Sequence, residues 1–180
     1  MTTLVACDGS CLKNPGGAIG WAWAREDGAW MSNGWKTGTN QRAELLALIS
    51  VLTFHPRGHL TIQMDSQYAL NIADKWAAGW ARKGWRKADG QPILNRDLVE
   101  PLLTLKQARQ DPIIFQWVKG HRKDNKFPLN TAADVRAGEA SKRAKEAKDP
   151  ISGMNLYQDS KGRSFMKQEA EIVARLSLLK

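Results

Sequence analysis

The chain has 180 residues, 42% of them hydrophobic, which is enough for one domain with a real core. Lysine and arginine number 27 against 18 acids, a formal net charge of +9 that favours a polyanionic partner, nucleic acid before an anionic membrane surface. Cys7 and Cys11 are too few for a zinc cage or a disulfide framework and fit a reducing compartment, the cytoplasm; no apolar run approaches membrane-spanning length, and the strand-like start leaves no room for a leader.

Residues 3–8 read as a first strand whose apolar run ends in Asp8, with turn chemistry from Gly9 to Gly17. Ile19 to Ala24 and Ala29 to Trp35 read as two further strands joined at Asp27-Gly28, making an antiparallel meander. From Asn40 the period changes. Ala43 to Leu52 is apolar nearly all round, so it predicts a buried helix capped by Thr39 or Asn40. Leu60 to Asp65 alternates as a fourth strand and again ends in an aspartate. Ser66 to about Lys83 predicts a helix broken near Gly79, followed by a basic loop over 84–92. Asn95 can cap a helix running to Arg109, with Pro101 forcing a kink or restart. Ile113 to Val118 is a fifth strand, 119–129 a basic loop, and Asn130 to about Lys148 a helix with small residues on one face. Pro150 to Gly162 reads as loop and 164–179 as an amphipathic helix. Three strands, then helix, strand, helices, strand and helix, is mixed α/β.

Four acids stand out. Asp8 and Asp65 each end an apolar strand, Glu44 lies in the first turn of the buried helix, and Asp134 follows Asn130 by four residues on one helical face. Taken singly, each reads more simply as a turn, cap or solvated residue. Gathered together they would repel, and a divalent cation would remove that cost. All-oxygen ligands suit magnesium or manganese, and two such ions are a recurring device for cleaving phosphodiesters. Among the three histidines, His55 and His59 flank a Pro-Arg-Gly turn and read as surface residues, whereas His121 follows Lys119-Gly120 on a polar loop. Trp76, Trp80, Arg82, Lys83, Trp85, Arg86 and Lys87 interleave aromatic and basic side chains, a footprint for a phosphate backbone. Trp76 and Trp80, at i and i+4, can also pack on each other.

The ordered motifs Asp8-Gly9-Ser10, Asn14-Pro15-Gly16, Thr39-Asn40-Gln41-Arg42-Ala43-Glu44-Leu45, Asp65-Ser66-Gln67-Tyr68, Val118-Lys119-Gly120-His121 and Asn130 to Asp134 closely resemble type 1 ribonuclease H over about residues 3–147. The resemblance implies a ribonuclease H-like fold, a five-stranded mixed sheet flanked by helices. It divides the chain into a catalytic domain over 1–149 and an extension of unassigned role over 150–180. It further implies an endonuclease that cleaves RNA in RNA–DNA hybrids and leaves 5′-phosphate and 3′-hydroxyl ends. By that similarity Asp8, Glu44, Asp65 and Asp134 hold two Mg2+ ions, with Mn2+ able to substitute, and His121 assists by proton transfer or by metal and product release. The basic segment would grip the DNA strand, Trp76 at sugar or base, and Arg82, Lys83, Arg86 and Lys87 at phosphates, with Trp80 and Trp85 beside them. Cys11, Asn14, Asn40 and Gln67 match positions that read the RNA 2′-hydroxyls. Thr131 departs from the family's usual glutamate after Asn130, and the loop from Arg122 to Lys126 is unusually basic. The expected partner is the hybrid, with no membrane and a monomeric protein. The rival is a non-catalytic binding module of the same fold, whose sign would be loss of an acid; all four are present.

Overall fold

The computed structural model describes residues 1–120, 126–147 and 156–163. Strands β1 (Thr2–Cys11), β2 (Ile19–Arg25) and β3 (Trp30–Trp35) form the antiparallel meander. Helix α1 (Asn40–Phe54) follows, then β4 (His59–Met64), which lies parallel to β1. Strand β5 (Ile113–Trp117) pairs parallel to β4, so the five expected strands form one mixed sheet. A short sixth strand, β6 (Leu156–Gln158), adds antiparallel to β3, giving the order β5-β4-β1-β2-β3-β6. The stretch expected to be loop therefore contributes to the sheet. The reason is the free edge of β3, whose backbone N–H and C=O groups take up a passing strand.

Helices cover both faces. Helix α1 buries Ala43 and every residue from Leu45 to Leu52, as its unbroken apolar surface requires. Thr39 caps it, its hydroxyl accepting from the Arg42 amide at 3.3 Å. Gly9 lies where a side chain would collide with the backbone of Ala43 and Glu44, so α1 rests directly on β1. Helix α5 (Pro128–Glu146) lies on the other face with Ala133, Ala137, Ala140 and Ala144 buried. It packs so close that a side chain at Gly20 would strike the Ala137 carbonyl and Ser141. Helix α5 starts two residues before Asn130 because Pro128 fits the first helical position without losing a hydrogen bond.

Other expectations need correction. Strand β1 does not end at Asp8; Gly9, Ser10 and Cys11 go on to pair with Trp21, Gly20 and Ile19. What ends there is the other neighbour, since β1 pairs with β4 only as far as Ala6 and Gln63. The helical stretch after Ser66 is interrupted not at Gly79 but by a π-helical turn, Ile72–Trp76, between α2 (Gln67–Asn71) and α3 (Ala77–Arg82). Helix α4 (Arg96–Gln107) runs through Pro101 without a restart. Asn95 stands before it in a left-handed conformation (φ 57°) and makes no side-chain cap. Its amide instead donates to the Tyr68 hydroxyl at 3.2 Å. His55 is not a surface residue. It is buried against Trp23, with Nδ1 2.8 Å from the Val51 carbonyl oxygen and Nε2 3.2 Å from Arg25. Burial first, then Arg25 and Arg109, push its pKa down to about 4, against the opposing bond at Val51. Cys7 is buried, Cys11 only partly, and both are free thiols. The helix expected over 164–179 lies outside the described residues. Among those described, no helix is long and apolar enough to cross a membrane.

Candidate active site

The site is built where β1 outruns β4. Side chains alternate along β1, so Asp8 shares a face with Ser10, whose hydroxyl lies 3.5 Å from that of Ser141 on α5. Asp8 is 5% exposed, and one of its oxygens accepts its neighbour's amide, Gly9 N, at 2.7 Å. Asp65 follows the last residue of β4, one strand away. Its carbonyl accepts the Trp117 indole N–H at 2.9 Å. Gly120 passes so close to the Asp65 carboxylate that a side chain there would overlap it. Asp134 reaches the site from α5, and Glu44 from α1. Glu44 is the fifth residue of its helix, not in the first turn as expected, so the helix N-terminus does not by itself account for it.

Electrostatics ties the acids together. Burial first, then Asp65, Asp134 and Glu44, raise the Asp8 pKa to about 8, against the opposing bond from Gly9. Glu44 is raised by burial and by Asp65, against the Ser66 bond. Buried Cys7 behind them is raised by its burial and then by Asp8, Asp65 and Glu44. Such a cluster has a surplus of negative charge and only oxygen donors, the composition that suits a hard divalent cation. Among the described residues no three of His, Cys, Asp and Glu already close into a coordination shell. Both Glu44 oxygens are engaged: Oε1 accepts from the Asn40 amide at 2.7 Å and Oε2 from the Ser66 hydroxyl at 2.5 Å.

A hydrogen-bonded chain leads outward from Glu44. Asn40 donates its backbone N–H to Asn14 Oδ1 at 3.2 Å, and Cys11 Sγ lies 3.9 Å from the Gly38 carbonyl oxygen. On the other side, Ser66 caps α2 and is followed by exposed Gln67. Asn40 and Asn14 are thus linked to Glu44, Gln67 follows its partner Ser66, and Cys11 lies against the Lys13 and Gly38 carbonyls. The second group stands apart. Trp76 is 41% exposed, and its ring centroid is 5.8 Å from that of Trp80. Trp80 and Trp85 are partly buried against the core, whereas Arg82, Lys83, Arg86 and Lys87 are all exposed. His121, the next residue after Gly120, lies outside the described residues.

A family model described as RNase H matches residues 1–142. The chain belongs to the RNase H family. It is therefore a ribonuclease, an enzyme that hydrolyses phosphodiester bonds. It is 40% identical over 140 residues to a ribonuclease H of Tropheryma whipplei (strain Twist), covering 77% of this chain and 83% of the relative. It is 43% identical over 139 residues to a ribonuclease H of Nitratidesulfovibrio vulgaris (strain Miyazaki F), covering 72% and 83%. Among solved structures, LC9-RNase H1, described as a type 1 RNase H with the type 2 active-site motif, matches with TM-score 0.66 at 23% identity, over 98% of this chain and 83% of that one. The foamy viral protease-reverse transcriptase in complex with RNA/DNA hybrid matches with TM-score 0.65 at 17% identity, over 77% of this chain and 20% of that one. Both likenesses carry the ribonuclease H fold.

Sequence reasoning missed Ser66 as a partner of Glu44, although Asp65-Ser66 before a helix already marked it as a cap. It also missed Arg42, which clamps Asp97 with two bonds of 2.9 and 2.6 Å and lowers that carboxyl's pKa. The pair joins the starts of α1 and α4, 55 residues apart in sequence, a contact no local pattern signals.

Proposed function

We propose that this enzyme is an endonuclease that hydrolyses the RNA strand of RNA–DNA hybrids, with residues 1–149 as the catalytic domain and 150–180 as an extension. Asp8, Glu44, Asp65 and Asp134 would hold two divalent ions, Mg2+ or in its place Mn2+. The observation that carries this reading is the buried Asp8 held among three further acids, its pKa raised to about 8. Bound there, the ions would supply positive charge for the attacking water and for the oxygen that leaves. Water adds to phosphorus, the bond to the 3′ oxygen breaks, and that oxygen takes up a proton. The products carry a 5′-phosphate and a 3′-hydroxyl. His121, which follows Gly120 in the sequence, is assigned an auxiliary part, in proton transfer or in metal and product release.

Recognition divides between the two groups. Cys11, Asn14, Asn40 and Gln67 offer neutral donors and acceptors beside the acids, the chemistry that reads 2′-hydroxyls. Trp76, backed by Trp80 and Trp85, offers a stacking surface, and Arg82, Lys83, Arg86 and Lys87 offer charge for the phosphates of the DNA strand. A monomer in a cytoplasmic setting completes the reading, the setting being one that free thiols suit. The test is cleavage of labelled hybrid, duplex RNA and duplex DNA with Mg2+ or with chelator. Hybrid-only cutting that stops with chelator is expected. Cutting that persists in chelator, or an active Asp8→Asn variant, would sink the mechanism.

A further inference from the structure

The basic–aromatic segment leaves the body of the protein through an irregular helix, and the irregularity has a built support. In the π-helical turn the Ala77 N–H bonds to the Ile72 carbonyl. In an unbroken α-helix it would have bonded to Ala73. The slip inserts one residue and so turns everything beyond it by about 100° around the axis. Lys106, in the last turn of α4, donates Nζ to the Ala73 carbonyl at 2.8 Å. Its ammonium also lies 4.0 Å from Asp74 and 5.3 Å from the centre of the Phe115 ring. The slipped register is thus held by a charge-assisted bond from a half-buried cation on another helix.

Helix α4 grips the segment again at its other end. Arg96, in the first turn of α4, stacks over Trp85 at 5.3 Å from the ring centroid. Trp85 itself adopts φ 63°, a conformation that a bulky residue takes only when its surroundings hold it there. Its N–H returns to the Trp80 carbonyl at 2.8 Å. Between these two grips lie Trp76, Trp80, Arg82 and Lys83.

We propose that Lys106 is a positioning residue for nucleic-acid binding: it holds the π-turn register that aims the Trp76–Trp80 pair, and does not itself touch the substrate. The inference rests on the proposed role of that segment in hybrid binding. It extends the functional surface to a lysine that neither the motifs nor the basic run includes.

The test measures binding of a fluorescent RNA–DNA hybrid to the full chain by anisotropy, in chelator so that no cutting occurs, together with steady-state cleavage in Mg2+. Lys106→Met keeps an unbranched side chain and removes both the donor and the charge. It should weaken hybrid binding about five- to tenfold and raise KM in step, with kcat within about twofold of wild type. Lys106→Arg should restore binding. In a Trp76→Ala background, Lys106→Met should cost clearly less than it does alone, because part of its effect acts through the Trp76 ring. The dependence of binding on salt should keep its slope.

Wild-type affinity in Lys106→Met would overturn the proposal. So would a salt slope lower by about one in that variant, the mark of a lost phosphate contact, or full additivity with Trp76→Ala. If wild-type protein itself does not prefer hybrid, the functional reading has failed, and that result is separate from any of these.

Discussion

The acid-bearing end of the sheet and the basic segment around Trp76 solve opposite problems. Asp8 is 5% exposed and sits among like charges, whereas Arg82, Lys83, Arg86 and Lys87 project into water. The acids pay a standing electrostatic cost that the fold imposes through buried strands, a buried helix and glycines that admit no side chain. The basic segment carries little such cost. Its charges are interchangeable in kind, and its geometry depends on a few props from α4. One region should therefore respond to single changes as a switch, and the other as a sum of small contributions.

The largest expected effect is on the acid side. Asp8→Asn should lower kcat about a thousandfold while leaving hybrid affinity in chelator near wild type, read by single-turnover cleavage and anisotropy. If the same variant lost binding rather than rate, the division between the two regions would fail.

Next comes stability against pH in the absence of divalent ions. Asp8 moves from an ordinary 3.8 to about 8 on folding, so the folded state holds the proton more tightly. Its contribution is fully present below about pH 4 and is lost as pH rises toward 8. The melting-temperature difference between Asp8→Asn and wild type should therefore grow in the variant's favour from pH 5 to pH 8. His55 acts in the opposite sense: its depressed pKa removes stability as pH falls from 6.5 toward 4. It is common to both proteins and cancels in the difference. A flat difference would mean that burial and the neighbouring acids do not raise the Asp8 pKa on folding.

On the basic side, Trp76→Ala should weaken hybrid binding about tenfold through lost stacking. Arg86→Gln or Lys87→Gln should cost only about threefold each and lower the salt slope by about one. A single neutralisation that abolished binding would turn this region into a switch as well, against the contrast drawn here.

The legibility of the two regions in the sequence differs for the same physical reason. Asp8 and Asp65 stand out because a carboxylate after an apolar run contradicts its surroundings, and that contradiction survives in any window of the chain. The strands, the buried helix and the small-residue face of α5 were readable from periodicity alone. What was not readable depends on distant contacts. Strand β1 continues past Asp8 because β2 is there to pair with Gly9, Ser10 and Cys11. His55 is buried because Trp23 and Arg25 cover it. The π-turn at Ile72–Trp76 has no signature in residue type, and the Gly79 that suggested a break sits quietly inside α3. Strand β6 forms because β3 offers an edge, a fact about β3 and not about Leu156 to Gln158.

The most direct test of the proposal that the acid cluster holds a cation is calorimetric titration of Mg2+ into wild type and Asp8→Asn near pH 7, in two buffers of different ionisation heat. With the Asp8 pKa raised to about 8, wild type should bind the ion and release close to one proton as it does so. Asp8→Asn should lose both the tight binding and the proton. Equal Mg2+ binding by the two proteins, with no proton released by wild type, would contradict the account.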